Sequence, residues 1–328
     1  MEIENARLYH SINKNKPKIM QYIFDSNYYR TSIYDRTSKE IDEICSKENV
    51  IALFPTIVSI ELINHLSIED DARINCIASL KMLFKQTSNL KDGRASGTIV
   101  PTFYDLLTLY FFSKESKNFS LSNKTLLMTK EIFEDKHQTK EFSKDIQLIK
   151  EFKRNELKTI IDNLEKHYLS SFNDDGKINW KIFQENSDLG NEFKGMIENG
   201  ELNKLFGLSL LNLAINEVGE QKETISKEYF EIKFLKDFEI SIDFFVIYIL
   251  EKLLKVKKTD YLKYPETDTN KKRWNSFYDF QLIFATEFEN SKGRKTIFVT
   301  RESKIIDHFK KFKKGHMSLS FDEFNKID

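Results

Sequence analysis

The sequence predicts an α/β protein in which a parallel sheet is flanked by helices. Short apolar runs typical of buried strands occur near both ends of the chain, and segments with helical spacing of apolar residues follow them. Alternation of this kind is typical of βαβ units, whose strands run parallel. The low content of glycine (10) and proline (4) in 328 residues favours long helices and argues against an all-β sandwich or barrel.

The first half of the predicted sheet domain lies within residues 18–110. Its expected elements are strand Tyr22–Asp25, helix Arg30–Lys47, strand Val50–Phe54, helix Pro55–Leu66 and helix Asp71–Gln86. A fully apolar strand such as the first is typical of the centre of a parallel sheet. Proline in a first turn and threonine as a cap place the start of the next helix at Pro55 or Thr56.

The second half of this domain lies within residues 236–328, and residues 111–235 predict an all-helical insertion between the halves. The helices expected around the insertion are Leu106–Phe112, Asp145–Tyr168, Leu202–Val218 and Tyr229–Phe238. The later elements are helix Ile240–Lys255, a flexible basic connection Lys255–Lys272, helix Trp274–Asn290, strand Thr296–Thr300, helix Lys304–Lys311, strand Met317–Leu319 and helix Phe321–Ile327.

The balance of charge excludes a protein that attracts nucleic acid over its whole surface. The chain has 51 basic and 51 acidic side chains, so its formal net charge is +0. Contacts with nucleic acid would therefore depend on local basic patches. The candidate patches are Lys255–Lys258, Lys271–Arg273 and the cluster Lys310, Lys311, Lys313 and Lys314. Each of them can also be explained as the solvated face of a helix.

Several features predict a cytoplasmic protein without a membrane span. Residues 1–5 are polar and acidic, which does not predict a signal peptide. The longest apolar stretch, Ile242–Leu250, is interrupted by Asp243 and is too short to cross a bilayer. Cys45 and Cys76 lack zinc-ligand spacing and are typical of buried thiols in a reducing compartment.

Acidic residues occupy positions in the predicted elements where strands end or helices begin: Asp25, Glu61, Asp279 and Glu302. An open α/β sheet forms its ligand crevice at such positions. Carboxylates gathered there can hold Mg²⁺ or Mn²⁺ against a phosphate. Each acid alone has a simpler explanation as a turn residue, a helix cap or a solvated helix position. Asp279 is different, because Tyr278 and Phe280 flank it and a carboxylate among aromatic groups is costly unless paired.

The order of these residues resembles the PIN domain family of nucleases, which includes many toxin ribonucleases. In that family a first strand ends in Asp followed by a small residue and Asn or Ser, as in Ile23–Asn27 here. A Glu follows on an early helix, as in Ser59–Leu62, and a late helix carries Asp before two hydrophobic residues, as in Asp279–Ile283. The next strand ends in Thr-x-Asp, which corresponds to Thr300–Glu302, and Ser318–Phe324 fits the final strand and helix.

This resemblance, which covers residues 18–110 and 236–328, implies a metal-dependent nuclease that acts on RNA, in a toxin or host-defence role. It implies Asp25 and Asp279 as direct ligands of Mg²⁺ or Mn²⁺. Glu61 would be a further ligand or would hold a metal-bound water. Glu302 would be an outer ligand, which completes the implied set of acids.

Other side chains would support such a site. Asn27 and Thr300 would orient water or phosphate through hydrogen bonds. Asn275 lies four residues before Asp279, hence on the same helix face. The lysines of the 310–314 cluster would bind the phosphate backbone of a substrate without reading its sequence.

Two departures from the family pattern leave other functions open. Glu302 stands where the family has Asp, and the insertion at 111–235 is far longer than in a minimal toxin, which favours binding of a protein partner or regulator. The alternatives are a DNA nuclease of the same chemistry, a catalytically inactive scaffold that binds a protein, and a phosphatase-like hydrolase with Asp25 as nucleophile. The last class normally has a second Asp two residues later, where this chain has Asn27.

Overall fold

The computed structural model describes most of the chain in a series of ranges. These are residues 20–46, 50–67, 71–88, 98–116, 119–137, 140–167, 173–174, 177–178, 188–220, 225–250 and 268–327. The predicted connection Lys255–Lys272 lies outside these ranges up to residue 267, and so does the basic patch Lys255–Lys258. None of the helices in this part of the chain has the length and apolar character that a membrane span requires.

Strands and helices alternate at both ends of the described chain. The strands are β1 (Met20–Phe24), β2 (Val50–Ala52), β3 (Phe54–Pro55), β4 (Ile99–Val100), β5 (Asn173–Asp174), β6 (Lys177–Ile178), β7 (Thr296–Val299) and β8 (Ser318–Leu319). The helices are α1 (Ser26–Asp35), α2 (Ser38–Cys45), α3 (Thr56–Asn64), α4 (Asp71–Thr87), α5 (Phe103–Phe112), α6 (Phe119–Phe133), α7 (Lys140–His167), α8 (Asp188–Glu198), α9 (Glu201–Val218), α10 (Leu235–Asp237), α11 (Glu239–Phe244), α12 (Asp268–Ser291), α13 (Ser303–Lys311) and α14 (Phe321–Asn325).

A four-stranded parallel sheet joins the two ends of the chain. Its order is β2-β1-β7-β8, so the first strand lies between one from its own half and one from the C-terminal half. The three apolar residues Tyr22, Ile23 and Phe24 that predicted this central strand are buried. The prediction of an α/β fold with a parallel sheet and flanking helices is therefore confirmed.

The helix predicted at Arg30–Lys47 is two helices, which corrects the prediction. Helix α1 begins at Ser26 and ends at Asp35, and α2 begins at Ser38. Thr37 separates them because it caps α2: its hydroxyl accepts a hydrogen bond from the Glu40 amide, and the Glu40 carboxylate accepts one from the Thr37 amide. This reciprocal cap gives the second helix an N-terminus of its own.

The single strand predicted at Val50–Phe54 is also divided. Strand β2 pairs with β1 in the main sheet, whereas β3 pairs in parallel with β4 in a separate two-stranded sheet. Leu53 lies between them, and its amide still donates to the carbonyl of Tyr22 at 2.9 Å. Strand β4 begins at Ile99, directly after residue 98, where the described residues resume.

The middle segment packs directly against the helices of the sheet. Helix α6 contacts α3 and α4, α7 contacts α3, and α9 contacts α5. Buried side chains of the middle segment, among them Ile132, Ile149 and Phe206, belong to the same hydrophobic cluster as Ile23 and Phe298 of the sheet. The segment is mainly helical as expected, but it also contains the short antiparallel pair β5–β6, so it is not all-helical.

The helix predicted at Tyr229–Phe238 and the one predicted at Ile240–Lys255 are both interrupted. A π-helical turn, Tyr229–Phe234, precedes α10, and a second, Phe245–Leu250, follows α11. Residues 251–255 lie outside the described ranges. Glu287 of α12 anchors the start of α11, because its carboxylate accepts hydrogen bonds from the amides of Ile240 and Ser241 at 3.1 and 2.9 Å.

A buried polar network connects the middle segment to α12. Lys153 of α7 is 1% exposed, and its ammonium pairs with Glu156 and donates to the Gln281 side chain at 2.8 Å. The Gln281 amide donates in turn to Glu156 at 2.9 Å. The Lys153 ammonium also lies over the Phe277 ring, 5.3 Å from its centre. A lysine buried among apolar side chains requires such partners, since an unpaired buried charge is strongly unfavourable.

We expect Lys153→Met to lower the free energy of unfolding by about 3–5 kcal/mol, because it leaves Glu156 as an uncompensated buried charge. The double variant Lys153→Met/Glu156→Leu is expected to recover part of that loss, because it removes both charges. Urea unfolding monitored by circular dichroism measures both effects.

The matched control is Lys158→Met on the same helix, where the lysine pairs with Asp162 on the surface. This variant is expected to change the free energy of unfolding by less than about 1 kcal/mol. A double variant as unstable as Lys153→Met alone would show that charge burial is not the source of the effect.

Candidate functional site

An acidic cavity of about 270 Å³ opens where β1 and β7 end. Among the described residues, those that line it are Asp25, Ser26, Asn27, Glu61, Asn275, Asp279, Leu282, Glu302 and Lys304. The four acids predicted to gather at the sheet edge therefore share one cavity. They come from four elements: the end of β1, α3, α12 and the residue before α13.

Asp25 is fixed on the floor of the cavity by the strand and the helix on either side of it. It is 3% exposed, and its amide donates to the carbonyl of Val299 at 3.2 Å. One carboxylate oxygen accepts from the Tyr28 amide at 2.7 Å, which makes Asp25 the N-cap of α1. The other oxygen accepts from the Thr300 hydroxyl at 2.6 Å. The carboxylate therefore has a defined orientation before any ligand binds.

Thr300 lies behind Asp25 rather than in the cavity. It is fully buried, and its hydroxyl oxygen accepts a hydrogen bond from the Glu302 amide at 3.1 Å while it donates to Asp25. The amide fixes the hydroxyl orientation, so Thr300 positions the Asp25 carboxylate. It is not among the lining residues, and the predicted contact of Thr300 with water or phosphate is corrected accordingly.

Glu61 and Asp279 enter the cavity from α3 and from α12, and most other side chains of α3 and of residues 274–291 are buried. Every residue of α3 is buried, and Glu61 has the Arg30 guanidinium 3.7 Å from its carboxylate. Asp279 projects from α12 between the buried residues Tyr278 and Phe280, and its side chain is 15% exposed. Glu302 lies nearer the solvent, with a side chain that is 41% exposed.

Asp25 and Asp279 resist ionisation because their carboxylates are removed from water and lie near other negative charges. Burial, with a smaller contribution from the charges of Glu61 and Glu302, raises the pKa of Asp25 to about 7, against the hydrogen bonds from Thr300 and Tyr28. Burial also raises the pKa of Asp279 well above its usual range, and the Lys304 ammonium opposes that shift. A bound cation would reverse this balance by stabilising the ionised forms.

The donor set fits a hard divalent cation in its chemistry, although the carboxylates are not closed around one. In the described part of the chain, no three His, Cys, Asp or Glu side chains are close enough together to hold a metal ion as they stand. The cavity nevertheless offers oxygen donors from four carboxylates and from the amides of Asn27 and Asn275. Oxygen donors of this kind suit Mg²⁺ or Mn²⁺ and do not suit a soft metal.

The lysine cluster at residues 310–314 does not line this cavity. Lys310 pairs with Asp307, Lys311 pairs with Asp243 at 2.7 Å, and Lys314 pairs with Glu239 at 2.9 Å. Lys313 adopts a left-handed backbone conformation just after α13. Binding of substrate by these lysines therefore remains a prediction, and two of them have acidic partners on or beside α11.

Lys304 is the charged residue of the cavity that the sequence prediction missed, and the lining residues Ser26 and Leu282 were not predicted either. Its ammonium lies between Asp279 and Glu302, at 3.8 and 3.5 Å from their carboxylates. One signal was available: a lysine in the first turn of a predicted helix, two residues after a candidate ligand, is unfavourable for the helix dipole. A lysine at such a position indicates that acidic groups outside the helix stabilise its positive charge.

Comparisons with models of known families, with characterised proteins and with solved structures find no match for this chain. The resemblance to PIN domains therefore depends on the order of the residues themselves. The chemistry of the cavity is the remaining basis for assigning a function.

We expect Thr300→Val to lower the free energy of unfolding of the metal-free protein by about 1–3 kcal/mol near pH 8, because it deprives Asp25 and the Glu302 amide of a partner. The Thr300 hydrogen bond stabilises the ionised form of Asp25, whose pKa is about 7. The loss should therefore be smaller at pH 5.5, where Asp25 is protonated, and should grow as the pH rises through 7. Urea unfolding in the presence of chelator at both pH values measures this difference.

The matched control is Thr296→Val at the start of β7, the strand that leads to Thr300; its buried hydroxyl donates to the neutral side chain of Gln21 at 3.3 Å. Its effect should not change between the two pH values. An equal loss for Thr300→Val at both values would contradict the proposed link between Thr300 and the charge on Asp25.

Proposed function

We propose that this protein is a divalent-metal-dependent endonuclease with a PIN-like fold, and that its substrate is RNA. The observation that carries the proposal is the shared cavity of Asp25, Glu61, Asp279 and Glu302, which lie in distant parts of the sequence. Burial and mutual repulsion make such a group of acids costly to fold. Binding of a cation would explain why these acids lie together, since their individual helices and strands give no structural reason for it.

The order of the elements agrees with what the PIN resemblance implies. Asp25 directly follows the first strand, α3 carries Glu61, α12 carries Asp279, and β7 leads through Thr300 to Glu302. The parallel sheet sets Asp25 and Glu302 at one edge, where ligands bind in α/β proteins, and α12 brings Asp279 to the same cavity. This agreement in order and position supports the assignment of the acids to one metal site.

In the proposed site Asp25 and Asp279 hold the ion directly, and Glu61 and Glu302 act as a further and an outer ligand. A bound Mg²⁺ or Mn²⁺ supplies an activated water and stabilises charge on the leaving oxygen of a phosphodiester. Asp25 is fixed by two hydrogen bonds, so it needs little rearrangement to act as a ligand. Glu302 is more exposed and has more freedom to move toward the ion.

Asn27 and Asn275 are the side chains suited to orient the substrate. Both line the cavity, and Asn275 is exposed at its rim. Their amide groups can donate to phosphate oxygens without adding charge. The chain has no net positive charge, so we propose that recognition depends on local contacts near this cavity, and that RNA is preferred over DNA as the family resemblance suggests. A toxin or host-defence role in the cytoplasm belongs to the same proposal.

A second candidate is a PIN-like scaffold without catalysis, whose middle segment binds a protein partner. One observation favours it: no three of the described acidic groups are arranged to hold a metal without movement. Measurement of metal binding separates the two candidates, since a scaffold of this kind would bind neither Mg²⁺ nor Mn²⁺. A DNA nuclease would share the metal chemistry and differ only in its substrate.

We expect the wild-type protein to cleave single-stranded RNA or tRNA with Mg²⁺ or Mn²⁺ and not with chelator, and we expect Asp25→Asn to lose more than about 100-fold in rate. The loss of a direct ligand should exceed the 10–100-fold loss that is typical when an outer-shell partner is removed. Gel analysis of labelled RNA and DNA under single-turnover conditions measures the rate and the substrate preference.

The matched control is Asp35→Asn at the other end of α1, where the carboxylate is on the surface and pairs with Arg301 at 3.3 Å. Its rate should equal that of the wild type. Cleavage that survives Asp25→Asn unchanged would contradict the assignment, and cleavage of DNA alone would change the substrate but preserve the metal chemistry.

A further inference from the structure

The acidic cavity contains a positive charge of its own. Lys304 is the one basic side chain among the described residues that line it, and the other charged lining residues are the four carboxylates. Its side chain is 36% exposed, so it lies at the mouth of the cavity rather than on the floor. The proposed metal site therefore already contains a single positive charge, that of the Lys304 ammonium.

The contacts of Lys304 are shared and loose. Its ammonium is 3.8 Å from Asp279 and 3.5 Å from Glu302, and both distances exceed the 2.7–2.9 Å that is typical of a charge-assisted hydrogen bond. Glu302 is the N-cap residue of α13, but its side chain makes no capping hydrogen bond to the helix. The Glu302 carboxylate is therefore available to the cavity, and the ammonium balances two acids without being fixed to either.

The position of Lys304 in its own helix is unfavourable. It is the second residue of α13, and the N-terminus of a helix carries a partial positive charge that repels a cation. The other basic residues of this helix, His308, Lys310 and Lys311, lie in its last turn, where the dipole favours them. The charge at residue 304 is thus explained by the carboxylates of the cavity and not by the helix.

We propose that Lys304 is the resident counter-ion of the cavity, and that its ammonium competes with a divalent cation for Asp279 and Glu302. This inference rests on the proposed metal-dependent function. An ammonium beside these carboxylates would repel a second cation, so it has to leave them when a metal ion binds. The flexible four-carbon stem and partial exposure of Lys304 allow it to move into solvent.

Competition of this kind gives a physical reason for the open arrangement of the acids. The ammonium partly balances the negative charges of Asp279 and Glu302 in the metal-free protein. These two carboxylates can therefore remain apart from those of Asp25 and Glu61. Only a cation that interacts more strongly than an ammonium would draw them together. Lys304 would then favour divalent over monovalent ions, because only a divalent ion would displace its ammonium from Asp279 and Glu302.

The test is a titration with Mn²⁺ followed by electron paramagnetic resonance of the free ion, on the full-length protein. We expect Lys304→Met to bind Mn²⁺ at least about tenfold more tightly than the wild type, because it removes a competing charge. Lys304→Arg keeps the charge and should bind within about threefold of the wild type. A larger rise in the Tm on addition of Mn²⁺ for Lys304→Met provides a second readout that does not depend on activity.

The matched control is Lys310→Met, which removes the same charge from the same helix. Lys310 pairs with the surface residue Asp307 and does not line the cavity, so its loss should change Mn²⁺ affinity by less than about twofold in the presence of screening salt. A tightening as large as that of Lys304→Met would mean that overall charge, and not competition within the cavity, is responsible, and it would overturn the inference.

The remaining outcomes separate this inference from the proposed function. If Mn²⁺ binds to the wild type and binds no more tightly to Lys304→Met, the competition is refuted while the metal site stands. Binding to Lys304→Met alone would support the competition in its strongest form. Absence of binding to either protein would overturn both proposals, whereas tighter binding without cleavage of any nucleic acid would refute the nuclease and preserve the counter-ion.

Discussion

The parallel pairing of β1 with β7 is the constraint on which the site depends. Because Phe24 pairs with Val299, the next residues along the two strands, Asp25 and Thr300, lie side by side and form a hydrogen bond across 275 positions of sequence. A slip of one residue would turn alternate side chains to the opposite face and separate this pair. Glu61 and Asp279 reach the same place because α12 packs against β7 and α3 packs against α12.

The floor of the cavity packs against a cluster of aromatic rings. Phe24, directly before Asp25, stacks on Tyr28 with ring centres 4.3 Å apart, and Phe324 of α14 meets Phe24 edge-on at 4.9 Å. The same turn that caps α1 therefore also lies above a packed aromatic cluster. Such a floor holds a carboxylate in a dry environment, where its charge is costly alone and strongly attractive to a cation. Glu302 and Lys304 at the mouth are more exposed and have the freedom that the floor lacks.

Local patterns predicted the sheet and the convergence of the acids, because both follow from apolar strands whose carboxyl ends meet at one edge. They did not predict the break at Thr37, where one capping box outweighs continuous helical spacing. They also missed the hydroxyl of Thr300 turning inward, since its direction is set by the Glu302 amide after folding. Lys304 was missed because its charge is balanced by Asp279, a residue from another helix that no local pattern relates to it.

The network of Lys153, Glu156 and Gln281 has a consequence for how this sequence can vary. Each of the three side chains is buried and each is a partner of the other two, so a change at one position leaves a polar or charged group stranded. In any relatives of this protein, positions 153 and 156 should therefore covary, both ionic or both apolar. Gln281 lies two residues after Asp279. Sequence changes at positions 153 and 156 are therefore constrained by α12, the same helix that carries an acid of the cavity.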